Sequence, residues 1–356
     1  MGADADSGCL GGATLRSDRV PPPIFREGRA IEKLNQRRSW RGWPWHLARL
    51  AFGALPLLWI SRRIDLRGVL HEVAKADLGS LGLAWALVLS GLFVGAYRWR
   101  TLTLAYGGED IPPVPTLVRY LLVGAYFNML PGGIAGEGIR ALRMRPHMGD
   151  VVASLSVLVV ERIVGLLALL ALAALAMAWH PRGDHAVLVR YFTAGVTLAF
   201  LLATGAMLLP YLIGRGPRWR RAIARVPVIG TWLLKVPPAR RPILIGGCIL
   251  LSLLTQGLAM GSIFTISRGI ASDAPTAILG ALPLVVLATH VPIVPGGLGQ
   301  REAAFVYFYG LVGVDSTLAL GTSVILSLFV VSLSALGGAL YVLDTAFSGR
   351  LNRSRR

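Results

Sequence analysis

The stretch from 151 to 179, VVASLSVLVVERIVGLLALLALAALAMAW, is apolar throughout except for Glu161 and Arg162 and a few small polar residues. A run of about twenty such residues is what a helix needs to cross the roughly 30 Å hydrocarbon core of a bilayer. Comparable runs occupy 191–213, 243–266 and 318–343; 78–97 is also strong, and 45–60 is shorter. Away from water such segments can satisfy their backbone only as α-helices or closed barrels, and barrel strands need an alternating polarity that these runs lack. Hydrophobic residues make up 54% of the chain, which agrees with an all-α polytopic membrane protein of about six full spans.

The net charge of +18 would suit a nucleic-acid binder if it were spread over one face, but it is not. Basic residues gather at 16–41, 98–100, 140–145, 215–241 and 350–356, in short segments flanking spans. That is the pattern of cytoplasmic loops facing anionic lipid headgroups, so a nucleic-acid partner is not expected. Arginine outnumbers lysine amid abundant Ala and Gly, as in GC-rich bacterial coding, so the expected location is a bacterial cytoplasmic (inner) membrane with both termini cytoplasmic. Residues 1–42 lack a periodic apolar face and read as a disordered basic cytoplasmic tail, 43–347 as one transmembrane domain, and 348–356 as a second basic tail. Cys9 sits in the polar tail and Cys248 in a span, which argues against a disulfide.

Two apolar pieces are too short to cross. Residues 117–130 make about 21 Å of helix, and then comes MLPGGIAGEGIR at 129–140. If this piece crossed, Arg140, Arg143 and Arg145 would face outward, and so would the arginine-rich loop at 215–241. If it enters, turns at Pro131-Gly132-Gly133 and returns, every basic loop stays inside. A second approach, 277–290, leads into VPIVPGGLGQREAAF at 291–305, with Pro295, Gly296 and Gly297 at the turn and Gly299 beyond. With 243–266 running outward, this second hairpin enters from the opposite face. About eight membrane segments, with two re-entrant Pro-Gly-Gly hairpins, would then form an inverted repeat of the kind that surrounds midplane substrates in transporters.

These residues carry a resemblance. YFNMLPGGIAGEGIR at 126–140, VVERIVGLL at 159–167 and VPGGLGQRE at 294–302 resemble, in the same order, the transmembrane region of the lysylphosphatidylglycerol synthase, or flippase-like, family. The similarity runs from about 45 to 345. It implies a multi-helix membrane protein handling lipids or lipid-linked sugars; some members also carry a cytosolic aminoacyl-transferase domain. No such domain is expected here, because the chain ends shortly after its last span. Ala135-Gly136-Glu137 stands where Gly-Gly-Asp would be expected, which keeps the carboxylate but lengthens its reach.

The charged residues inside the spans are expensive, each costing about 2.5–3.5 kcal/mol at a helix centre. Glu161 and Arg162 are adjacent on a helix, point apart and need separate partners. Glu137 and Arg140 are three apart and can pair on one face, whereas Arg301 and Glu302 are adjacent and must look elsewhere. Glycines before each half-helix would leave backbone N–H groups at a positive dipole end, suited to phosphate. With Arg140, Arg162 and Arg301 nearby, and Asn128 as a neutral donor or acceptor at the tip, they would form a midplane headgroup site.

The expected function is a lipid flippase that moves a phosphate-bearing lipid or lipid-linked headgroup between leaflets, with no cofactor, no metal and no catalytic residues. A membrane-embedded enzyme, either a lipid diphosphatase or a lipid-linked glycosyltransferase, is the alternative, with Glu137, Glu302 and His290 as acid and base. A third class is a non-transporting partner of a lipid-biosynthesis enzyme. The substrate could be a phospholipid, an aminoacylated lipid, a hopanoid or a polyprenyl-linked sugar. The two-hairpin topology has a direct check, single-cysteine labelling from each side in a background lacking Cys9 and Cys248. Positions in 179–189 and 268–275 should react from outside, and position 220 only from inside; outside labelling at 220 would sink the scheme.

Overall fold

A computed structural model of the protein describes residues 71, 73–129, 135–179, 194, 195, 197, 198, 201, 202, 204, 205, 239–241, 243–290 and 299–353. The tail at 1–42, the span expected at 45–60, most of 191–213 and both Pro-Gly-Gly turns lie outside them. Among the described residues, eight continuous helices follow one another: α1 (Leu78–Ala105), α2 (Val114–Asn128), α3 (Ala135–Met148), α4 (Val151–Trp179), α5 (Ile243–Ile270), α6 (Ile278–His290), α7 (Gln300–Leu311) and α8 (Ser316–Arg353). Four of them, α1, α4, α5 and α8, are long and apolar enough to cross a membrane.

The helix ends follow from local chemistry. Asp77 precedes α1 and its carboxylate accepts from the Ser80 N–H at 2.7 Å, an N-cap that satisfies one of the unpaired amides of the first turn. At the other end of α3, Gly149 takes the left-handed conformation (φ 75°) and its N–H returns to the Arg145 carbonyl at 2.9 Å. The α3 sequence suits its own dipole, with Glu137 in the first turn and Arg145 and His147 in the last. Within the long helices, hydroxyls such as Thr103, Ser156, Thr255 and Thr265 donate to the carbonyl four residues back at 2.7–2.9 Å. A polar side chain in hydrocarbon is thereby satisfied by its own helix.

The elements come in the order long, short, short, long, and then again. A constant sequence offset separates Leu78 from Ile243, Ala135 from Gln300 and Val151 from Ser316, the starts of α1 and α5, α3 and α7, and α4 and α8. Packing has the same form. The most extensive contact joins α1 to α5; α2 packs on α8 as α6 packs on α4, and α3 packs on α4 as α7 packs on α8. The pairs α1–α2 and α5–α6, α2–α3 and α6–α7, and α1–α4 and α5–α8 complete the correspondence, while α4 on α5 has only a slighter counterpart. At 15, 14, 13 and 12 residues, α2, α3, α6 and α7 are each shorter than the core is thick.

Two main apolar cores form, one centred on each half, with α5 contributing to both. Trp99, Leu102, Leu117, Met144, Val157 and Cys248 are buried together in one, and Ile263, Ile278, Leu282, Phe305 and Tyr309 in the other. Between helices, glycine permits the closest approaches. A Cβ on Gly337 would strike the Leu122 backbone carbonyl, and one on Gly338 would lie 2.9 Å from the Tyr126 ring, so α8 crosses α2 at backbone contact. Gly337→Ala should therefore lower the melting temperature in detergent through overpacking worth about 1–3 kcal/mol. Gly246→Ala, whose added methyl meets nothing within 4 Å, is the control that should not.

Candidate functional site

Glu161 lies inside α4 and is 7% exposed. An unpaired carboxylate there would be very costly, and the surrounding helices supply two cations. Arg98 of α1 donates from Nη2 to Glu161 Oε1 at 3.0 Å, and Arg140 of α3 donates from Nη2 to Glu161 Oε2 at 2.6 Å. Arg140 also donates from Nη1 to Glu137 Oε2 at 3.1 Å, along its own helix. The other oxygen of Glu137 accepts from Arg162 Nη2 at 2.5 Å. Arg98 extends the chain to α5 by donating from Nη1 to Ser252 Oγ at 2.9 Å. One continuous network thus ties α5, α1, α4 and α3 together.

Small residues and one aromatic ring shape this network. Gly124 of α2 leaves room for the Arg140 methylenes, which lie 3.2 Å from where a Cβ would stand, and Gly165 faces Arg98 one turn beyond Glu161. The Arg140 guanidinium lies over the Trp99 ring at 4.3 Å, a cation–π contact on the side not used by carboxylates. Exposure rises along the chain: the side chains of Arg140 and Glu161 are 9% exposed, Glu137 17% and Arg162 62%. The arrangement leads from a sealed interior to an open cation.

Among the described residues, three arginines against two carboxylates leave this network with one excess positive charge. In addition, the Nε atoms of Arg98 and Arg140 are buried without a hydrogen-bond partner among the described residues. An unsatisfied buried donor costs about 1–3 kcal/mol. A small anion reaching the network would meet both a charge deficit and idle donors.

The second half carries a quieter centre. Glu302, 6% exposed, accepts from the Gly299 N–H through Oε2 at 2.6 Å, satisfying the backbone donor of the residue that precedes α7. Its Oε1 accepts from Ser327 Oγ at 3.3 Å and, more weakly, from Ser323 Oγ at 3.5 Å, both on α8. Gln300 donates to the Ala288 carbonyl at 2.7 Å, pinning α7 to α6. Arg301 is buried at 8% exposure and close enough to interact electrostatically with Glu302.

Of the residues singled out in the sequence, Asn128, Gly136, Glu137, Arg140, Glu161 and Arg162 come together, and Gly299, Arg301 and Glu302 form a second group on α7. Pro131, Gly132, Gly133, Pro295, Gly296 and Gly297 lie outside the described residues. Two details differ from expectation. Asn128 Oδ1 accepts from the Gly136 N–H at 3.0 Å, so that amide, like the Gly299 amide, is already occupied by a protein acceptor rather than left open. Arg98, read from sequence as part of the basic cytoplasmic segment 98–100, sits two turns inside α1, which continues to Ala105, and it points at Glu161. A third cluster was also unforeseen: Arg119 of α2 and Arg143 of α3 both reach Asp344 of α8, Arg143 at 3.9 Å, while Arg143 also lies over the Tyr120 ring at 4.8 Å.

Comparison with known proteins agrees with this organisation. The family model described as Lysylphosphatidylglycerol synthase TM region matches residues 46–338, most of the chain and both halves of the helical order. No curated protein matches.

The pairing can be measured. Glu161→Gln leaves Arg98 and Arg140 buried face to face, and removing one partner of a buried pair costs about 3–5 kcal/mol, less where water enters. Melting in detergent should drop accordingly. Adding Arg140→Gln should restore only part of the loss, because Arg98 still lacks its carboxylate; purely additive effects would mean that these groups do not pair.

Proposed function

We propose that this chain, which belongs to the lysylphosphatidylglycerol synthase TM region family, moves a phosphate-bearing lipid or lipid-linked headgroup between the two leaflets. The observation that carries the reading is the excess positive charge of the Arg98–Glu161–Arg140–Glu137–Arg162 network, with two buried guanidinium nitrogens left without partners. Arg162, the exposed end, is where a headgroup phosphate would first meet a cation. There it would displace the Glu137 carboxylate, a charge-assisted exchange of one oxyanion for another. Arg140 lies next along the chain and can take the same oxyanion while Glu161 and Trp99 hold its guanidinium in place. Binding energy here is spent on a headgroup that would otherwise have to lose its hydration in hydrocarbon.

The repeated helix order supports the same reading. Short paired helices in each half, set at a constant offset and matched in their packing, are what two inverted broken-helix hairpins around a midplane site require. The transporter role involves no catalytic residue and no cofactor. The membrane would be a bacterial cytoplasmic membrane with both termini inside, and the basic segments would rest on anionic headgroups there.

Reconstitution separates this reading from an enzyme. Purified protein in liposomes should move a fluorescent phosphate-headgroup lipid between leaflets with its mass unchanged, and Arg162→Gln should slow the movement by about tenfold, the equivalent of one charge-assisted hydrogen bond. A cleaved or glycosylated product that depends on Glu137 or Glu302 would overturn transport in favour of chemistry on the lipid.

A further inference from the structure

Arg119 of α2, Arg143 of α3 and Asp344 of α8 form a charged cluster outside the Glu161 network. Arg140 and Arg143 lie one turn apart on α3, but Arg140 reaches α4 whereas Arg143 reaches α8. Arg119 is the sixth residue of α2 and Arg143 the sixth from the end of α3, so each lies about 8 Å from its helix end. Asp344 is the last residue of the apolar stretch that begins at Ser316, and α8 continues beyond it to Arg353. Three helices thus bring charge to the edge of the apolar layer. Tyr120 lies against Arg143 there, and Tyr341 is one turn before Asp344, the pairing of arginine with tyrosine found at headgroup level.

Packing does not require these charges. At the constant offset that relates the halves, Arg119 corresponds to Leu284, Tyr120 to Val285, Arg143 to Phe308 and Asp344 to Trp179. The matching set in the other half is therefore apolar throughout. Nor does a salt bridge alone account for the cluster. The Arg119 side chain is 43% exposed, where an ion pair contributes little, and its Nε is buried with no hydrogen-bond partner among the described residues. Two guanidiniums are directed at one carboxylate, and a phosphodiester monoanion beside Asp344 would match them one for one. Val342 and Leu343, next to Asp344, are exposed at 62% and 50%, so acyl chains have apolar surface at the same edge. A soluble phosphate would gain nothing from that surface.

We infer that Arg119 and Arg143 bind the phosphodiester of an anionic phospholipid, held where α2, α3 and α8 meet. Basic pockets between membrane helices take such headgroups. The Tyr120 ring backs the Arg143 guanidinium at 4.8 Å, Asp344 sets the spacing of the two forks, and the more exposed Arg119 meets the phosphate first. The lipid thereby joins α8 to α2 and α3 two turns beyond Gly337, where α8 and α2 touch at their backbones. Its binding does not depend on lipid movement past the Glu161 network.

The test uses the full chain in detergent with added dioleoyl phosphatidylglycerol, dioleoyl phosphatidylcholine or soluble glycerol phosphate. High salt screens the exposed basic segments more than a cluster seated between helices. Under those conditions phosphatidylglycerol should raise the melting temperature of the wild type more than phosphatidylcholine does. The concentration giving half that rise should increase about tenfold in Arg119→Gln, the loss of one charge-assisted hydrogen bond. In Asp344→Asn, phosphatidylglycerol should bring the melting temperature back toward that of the wild type, because a lipid oxyanion takes the place of the carboxylate. A purely structural salt bridge would leave this variant equally low in both lipids. Native mass spectrometry should find one fewer phosphatidylglycerol retained when Arg119→Gln and Arg143→Gln are combined. Equal rises with the two lipids, a response undiminished in Arg119→Gln, or an equal rise with glycerol phosphate would overturn the assignment.

Discussion

A carboxylate in the middle of an apolar span decides how four helices are arranged. Glu161 cannot remain ionised in hydrocarbon without cations, and those cations are delivered by α1 and α3 from positions far apart in the sequence. Once Arg98 and Arg140 are committed to it, the angle and depth of α1, α3 and α4 are constrained together, since a guanidinium holds its carboxylate within a narrow geometry. The rest of the first half follows from that constraint. Gly124 and Gly165 are small where arginine must pass, and Trp99 covers the face of Arg140 that no carboxylate reaches. Packing in this half is arranged around charge.

The second half reaches a similar helix order by apolar means. Phe305 is fully buried where the first half has Arg140, and its ring lies 5.4 Å from that of buried Tyr309 in a core with Leu282 and Ile263. A common architecture is therefore held by ion pairing on one side and by aromatic packing on the other. Two halves stabilised by different physics respond differently to the same perturbation: an anion or a change in ionic conditions acts on the first, and a change in side-chain volume acts on the second.

Much of this was legible in the residues, and the remainder was hidden for identifiable reasons. The starts of α1, α4 and α5 coincide with their apolar runs, and that of α8 lies two residues before its own, because hydrophobicity sustained over twenty residues has no other folded form in a bilayer. The Glu137–Arg140 contact follows from helical spacing. Arg98 belongs to the helix rather than to a cytoplasmic segment because the apolar run ends at Tyr97 but the sequence contains no stop signal until Gly107, so the helix continues past it. Asp344 and Arg119 were missed because a pairing between residues so distant in the chain leaves no periodic trace. Asn128 was assigned to a ligand, although an amide at the end of one short helix is equally able to cap the next.

The order of the Glu161 partners along the chain bears on how the protein is made. Both cations that hold this acid, Arg98 and Arg140, are synthesised before it. When α4 leaves the insertion machinery, its carboxylate enters a bilayer in which its counter-ions are already present, so it need not wait unpaired for a later helix. Ser252, the last member of the chain, arrives with α5 and requires no counter-ion of its own, because a hydroxyl can bond to its own helix in the meantime. The broad α1–α5 contact thus closes after α4 is in place, over a first half whose charges have already been settled during translation.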